Sequence, residues 1–147
     1  MKNHQQFLKE AVRLAQSNRA DGGRPFGAVL TLNGIEVATG VNRIIQCNDP
    51  TAHAEMEAIR TASQTLKSPN LTGAVMYASG HPCPMCMAAL IMSGISEVYY
   101  AFDNTDAEPY GFSSRHVYEK LNISLKAAPI TLTRIDTGTN ADQVYGS

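Results

Sequence analysis

The sequence predicts a three-layer α/β domain, with helices on both faces of a sheet, and three observations lead there. Segments with helical and with strand spacing follow one another in the order α-β-β-α-β-α-β-(α)-β, with no repeat and no linker, as one domain over residues 1–147. The run Gly73 to Ala78 is short and apolar, as a strand covered on both faces is. Hydrophobic residues make up 44% of the 147 residues and charged residues 17%, which is the composition of a chain able to bury a full core.

Taken in order, Phe7, Ala11, Leu14, Ala15 and Asn18 recur at helical spacing, with Leu8 and Val12 widening the stripe, and predict an amphipathic helix over 3–19. Asp21-Gly22-Gly23 ends it. Phe26 to Leu32 and Ile35 to Val41 read as strands joined by Asn33-Gly34, the pair that suits a tight type I′ hairpin. Asp49-Pro50 reads as a helix N-cap with proline in the first turn, opening a helix to about Thr65 with Met56, Ile59, Ser63 and Leu66 on one face. A strand over Gly73 to Ala78 leads to a second helix from Cys83 to Ser93, closed by Gly94, and then to a strand over Ile95 to Phe102. Asp103 to Arg115 reads as a polar loop, His116 to Leu121 as a short helix and Ile130 to Ile135 as a last strand. Asp136 to Ser147 carries no periodicity.

Composition also narrows the setting. No apolar run approaches the roughly 20 residues that span a bilayer, and the N-terminus lacks the apolar core of a signal peptide. Three cysteines, two of them in C-x-x-C, point away from a disulfide framework and towards a reducing cytoplasm. A net charge of −1 without a Lys/Arg cluster argues against a grip on a long nucleic acid through phosphates. It leaves a small anionic substrate open.

The chemistry lies in His53-Ala54-Glu55 and Pro82-Cys83-Pro84-Met85-Cys86. One imidazole and two thiols are the ligands of a catalytic zinc site, which uses three protein donors and keeps a fourth position for water. A lone C-x-x-C also fits a redox pair or half of a structural site, but only Cys47 remains and a four-cysteine site cannot be built. Each half opens a helix, where free amides and the dipole favour the thiolate a metal requires. Glu55 lies two residues beyond His53 and so turns away from the metal, placed to carry a proton between water and a leaving amine. Glu57 reads instead as a solvent-facing glutamate. Cys47 reads as a small buried or half-exposed residue, and His4, His81 and His116 as non-ligands, His81 being nearest the Pro82-Cys83 turn.

His-Ala-Glu followed about thirty residues later by Pro-Cys-x-x-Cys resembles the zinc-dependent cytidine-deaminase-like superfamily. Pro25-Phe26-Gly27-Ala28-Val29, Asn42-Arg43 and Asp49-Pro50-Thr51-Ala52-His53-Ala54-Glu55 are similar to the branch of bacterial guanine deaminases and tRNA adenosine deaminases. The resemblance implies a central mixed five-stranded sheet in an α/β/α sandwich, and a homodimer. It also implies a zinc ion on His53, Cys83 and Cys86, a substrate-contacting asparagine at Asn42 and an apolar wall at Phe26. The tRNA enzymes end in a longer basic helix, whereas Thr137 to Ser147 here holds no Lys or Arg. Cys-Pro-Met-Cys, and Asn104 to Glu108 leading to Gly111-Phe112, are closer to the guanine deaminases. Those enzymes place an acidic residue shortly after Gly-Phe, and Ser113-Ser114-Arg115 stands here instead. Serine cannot accept charge-assisted hydrogen bonds as a carboxylate does, so the resemblance implies the purine class rather than guanine itself.

The expected function is hydrolytic release of ammonia from a free amino-substituted nucleobase, a purine, with zinc as cofactor. Glu55 is the catalytic residue, and Asn42, Phe26 and Asp106 contact substrate, Asp103 and Glu108 lying on the same loop as Asp106. The competing readings are a tRNA adenosine deaminase, a deaminase of cytosine or another heterocycle, and a binding protein that holds zinc for stability alone.

Overall fold

A computed structural model describes residues 1–123 and 130–146. Its sheet has five strands: β1 (Gly27–Leu32), β2 (Ile35–Val41), β3 (Ala74–Gly80), β4 (Glu97–Phe102) and β5 (Thr131–Arg134). They lie in the order β2-β1-β3-β4-β5. β1 is antiparallel to β2 and β3, whereas β3, β4 and β5 run parallel, so the sheet is mixed as the family resemblance implies. Asn33 (φ 53°) and Gly34 (φ 76°) form the tight hairpin, both in the left-handed region that a type I′ turn requires.

One face of the sheet is covered by α1 (His4–Ala20), whose Phe7, Leu8, Ala11, Val12 and Ala15 pack on Val29, Tyr77 and Phe102. A capping box holds its start, Asn3 accepting from the Gln6 amide while Gln6 accepts from that of Asn3. The other face is covered by α3 (Ala54–Leu66) and α4 (Pro84–Ser93), through Ala54, Ala58, Ala62, Met87 and Leu90. Leu30 and Met76 point to this side while Val29 and Tyr77 point to α1, the period-two alternation of strands buried on both faces. Between the sheet and α3 the approach is close: a methyl at Gly40 would lie 2.2 Å from the Ala54 carbonyl oxygen.

Several expectations are corrected. Asp49-Pro50 does not open α3; Asp49 accepts hydrogen bonds from the amide and hydroxyl of Thr51 at 2.8 and 2.7 Å, which closes a turn and leaves His53 as the N-cap. Its buried face is Ala54, Glu55, Ala58 and Ala62 rather than Met56, Ser63 and Leu66: the alanines are the small residues that fit against the sheet, and Glu55 is buried at the helix start beside the metal donors. A short helix, α2 (Ile44–Cys47), precedes that turn, and Cys47 on it is exposed rather than buried or half-exposed. Asp103 to Arg115 is not a plain loop: it holds α5 (Asn104–Ala107), a 3-10 turn (Glu108–Tyr110) and the start of α6 (Arg115–Leu121). The aperiodic tail folds into α7 (Ala141–Tyr145), which buries Val144 and Tyr145 against the α1 side. No helix among the described residues is long and apolar enough to cross a membrane.

Candidate active site

Two helix starts meet at one point. His53 is the N-cap of α3 and Cys83 that of α4, each with extended backbone (ψ 155° and 170°), so both side chains leave the first turn towards the same space. Pro84 follows at the first position of α4, where its missing N–H costs nothing, and Cys86 comes one turn on. The Cys83 and Cys86 sulfurs lie 3.6 Å apart, and His53 Nδ1 lies 3.4 and 3.6 Å from them. Tetrahedral zinc, with bonds of about 2.3 Å to sulfur and 2.0 Å to nitrogen, needs sulfur–sulfur and sulfur–nitrogen edges of roughly 3.8 and 3.5 Å. The donor set fits that ion in type, number and spacing, and these three side chains form a group that could hold a metal.

The electrostatics suit a cation. Hydrogen bonding from Cys86, supported by His53 against the cost of burial, pulls the Cys83 thiol down to about 4. Cys86 is pushed up by its bond to Cys83 and by burial, so the two sulfurs share one negative charge. The hydrogen bond to Cys83 raises His53. Glu55 is buried, 6% exposed, and raised chiefly by that burial and then by the charge on Cys83. It is therefore not the solvent-facing glutamate of the plainer reading. Glu57 is the one that reaches outward, pairing with Arg60 at 2.7 Å.

A cavity of about 440 Å³ opens from these groups. Asn42 and Phe26 line it. The Asn42 Oδ1 accepts the Ile44 amide at 3.0 Å, which orients the side chain and leaves its Nδ2 hydrogens unpartnered among the described residues. Asn18 holds Asn42 from behind, its Nδ2 donating to the carbonyls of Asn42 and Arg24 at 2.8 Å each. Phe26 stands edge-on to Phe112 at 5.8 Å and tilted against Tyr145 at 5.7 Å.

Asp106 is not brought to this cavity. It closes the capping box of α5 with Asp103 and pairs with Arg134 at 2.7 Å, beside a separate hollow. Glu108 is likewise not among the lining residues. Sequence reasoning had no signal for three contributors. Arg24 reaches the cavity wall from the loop before β1 and His116 from the first turn of α6, and the Tyr118 hydroxyl donates to the Pro82 carbonyl, bracing the Cys83 turn. His81 also lines the cavity without joining the metal group; its buried Nδ1 has no partner among the described residues, and burial lowers its pKa.

Comparison with known proteins agrees with this geometry. The family described as cytidine and deoxycytidylate deaminase zinc-binding region matches residues 1–102. A guanine deaminase of Bacillus subtilis is 42% identical over 121 residues, 82% of this chain and 78% of that protein. A tRNA-specific adenosine deaminase of Buchnera aphidicola is 34% identical over 116 residues, 79% of this chain and 72% of that one. The crystal structure of the Bacillus subtilis guanine deaminase superposes with a TM-score of 0.80 at 38% identity, covering 91% of this chain and 86% of that one.

Proposed function

This chain belongs to the cytidine and deoxycytidylate deaminase family of zinc-dependent enzymes, and from that membership we propose that it hydrolyses the exocyclic amino group of a free purine base and releases ammonia. The observation that carries the reading is one cavity shared by Glu55, Asn42, Phe26 and two of the metal donors, His53 and Cys83, with Cys86 buried directly behind them. The similarity to a guanine deaminase over 82% of the chain supports a purine as the ring.

In this reading His53 Nδ1 and the sulfurs of Cys83 and Cys86 hold the zinc ion, one domain over residues 1–147 supplying the whole set. When bound, zinc supplies the Lewis acidity that makes water a nucleophile near neutral pH. Glu55 moves the proton, its carboxylate taking one from the attacking water and returning it to the nitrogen of the leaving amine. Asn42 donates from Nδ2 to an acceptor on the ring, and Phe26 lies along the ring as an apolar wall that excludes water. The chain acts as a homodimer in the same proposal, an interface able to cover the exposed Ile91 and Met92 of α4.

Replacing Glu55 with Gln tests the mechanism. Turnover falls by about 10²–10⁴-fold, the range of a lost acid/base group, while zinc content stays at the wild-type value. Undiminished turnover overturns the role given to Glu55. Ammonia release from aminopurines, cytosine, triazines, pterins and nucleosides tests the substrate. A second reading, tRNA adenosine deamination, is favoured by the 34% identical relative; it requires inosine formation in an anticodon stem-loop and no ammonia from free bases.

A further inference from the structure

We infer that Asn18, which stands outside the cavity, is a positioning residue: its side-chain amide holds the backbone at Asn42 and so fixes where the Asn42 Nδ2 hydrogens point. The inference rests on the ring contact proposed for Asn42 above and deepens it.

Asn18 lies in the last turn of α1 and is 7% exposed, and the proton transfer assigned to Glu55 makes no use of it. Its amide is nonetheless fully engaged. Nδ2 donates to the carbonyls of Arg24 and Asn42 at 2.8 Å each, and Oδ1 accepts from Gln46 Nε2 at 3.3 Å. Two carbonyls and an N–H converging on one side chain require two donated hydrogens and one acceptor, the inventory of a primary amide. A buried carbonyl deprived of such a donor costs free energy, so the loop keeps this arrangement.

The bonds close a ring around the wall residues. The Arg24 carbonyl also accepts the Phe26 amide at 2.8 Å, and the Phe26 carbonyl accepts the Asn42 amide at 3.1 Å. Asn18 therefore ties the loop before β1 to the residue that follows β2. The Asn42 side chain is itself fixed by the Ile44 amide on Oδ1, so a movement of its backbone is passed on to Nδ2. The ring has little room to shift. A methyl at Gly23 would lie 2.5 Å from Gln46 Nε2 and 2.6 Å from Asn18 Nδ2, both of them ends of side chains. Gly23→Ala accordingly pushes these amides aside and leaves the backbone where it is.

The test is a double-mutant cycle on the zinc-loaded protein, with Asn18→Ala, Asn42→Ala and the two combined. The readouts are kcat and KM for ammonia release from guanine, Kd for 2-aminopurine from its fluorescence, and the Asn42 side-chain amide resonance of isotopically labelled protein. In Asn18→Ala, KM and Kd rise about fivefold and kcat changes by less than about twofold, as when one neutral hydrogen bond common to ground and transition states weakens. With Asn42 already replaced, the same change raises KM by less than about twofold, because the group it aims is gone. Gly23→Ala raises KM in the same way and also shifts the Asn42 resonance, and it carries the test if Asn18→Ala does not fold. An effect on KM as large without Asn42 as with it, or an unmoved Asn42 resonance, overturns the inference and leaves Asn18 a structural residue only. Wild-type KM in Asn18→Ala and Gly23→Ala beside a raised KM in Asn42→Ala removes the inference and leaves the Asn42 contact standing. A shifted Asn42 resonance with no ammonia from guanine and no binding of 2-aminopurine does the reverse, removing the purine reading and leaving the positioning.

Discussion

Gly40→Ala tests whether contact with the sheet sets the position of the catalytic turn. A methyl there would sit 2.2 Å from the Ala54 carbonyl oxygen, 2.7 Å from the Ala58 nitrogen and 3.1 Å from the Glu57 Cβ. Non-bonded heavy atoms settle at about 3.5 Å, so the first turn of α3 has to withdraw by roughly 1 Å. All three obstacles belong to one helix, and two are backbone atoms that no rotamer change can move. Overpacking of this kind costs about 2 kcal/mol, which lowers Tm by roughly 4–8 °C in a chain of this size. The same displacement carries His53 and Glu55 with it, and a misplacement of about 1 Å costs on the order of 100-fold in kcat. Gly27→Ala is the comparison, since its methyl would meet α1 at the Ala11 carbonyl oxygen, 2.3 Å away, on the opposite face. Both variants lose similar stability by thermal melting, while Gly40→Ala loses far more activity and zinc. Equal losses of activity in the two variants, or wild-type kcat in Gly40→Ala, would refute the reasoning.

Two further perturbations address the parts that frame the site. The Tyr145 hydroxyl is buried without a partner among the described residues, between Phe26, Phe102 and Phe112. Tyr145→Phe therefore raises stability by about 1 kcal/mol in thermal melts, and a loss of that size would show that the hydroxyl is bonded. Burial raises the Asp103 carboxyl, but hydrogen bonds from Asp106 and the charge of Arg134 outweigh it and leave the group below its ordinary value. A carboxyl lowered by folding stabilises above its unfolded pKa of about 3.9, and that increment is lost as pH falls through the folded value. Asp103→Asn, which keeps a capping side chain, accordingly flattens the fall of Tm with acid below about pH 4; an unchanged slope would count against the Arg134 pairing.

Local pattern was enough for most elements. The Asn33-Gly34 hairpin, the stripe of α1 and the stop at Gly94 depend on spacing and backbone freedom within a few residues, and all three fall where the sequence puts them. Asp49-Pro50 misled because the same residues that cap a helix also close an Asx turn, and the choice was made by where His53 had to lie. Met56, Ile59, Ser63 and Leu66 share one face of α3 by spacing, but of these Ile59 packs on the core while the fully buried positions are Ala54, Glu55, Ala58 and Ala62, because the close approach at Gly40 favours small side chains there. Asp106 looked like a substrate contact as long as its reach towards Arg134, a strand away, was invisible.

The sequence by itself determined the family, the order of the elements and the zinc-type donor set, because His53, Glu55, Cys83 and Cys86 are types whose chemistry is narrow and whose spacing within each half is local. Tertiary structure decided the rest. It brought two helix starts some thirty residues apart to within 3.6 Å at the donor atoms, buried Glu55, and drew Asp106 away into a capping box. It also built the cavity wall from Arg24, Ser113, Ser114 and His116, residues with no shared periodicity. The physical reason is that donor identity is written residue by residue, whereas a wall depends on which loops the packed sheet sets side by side.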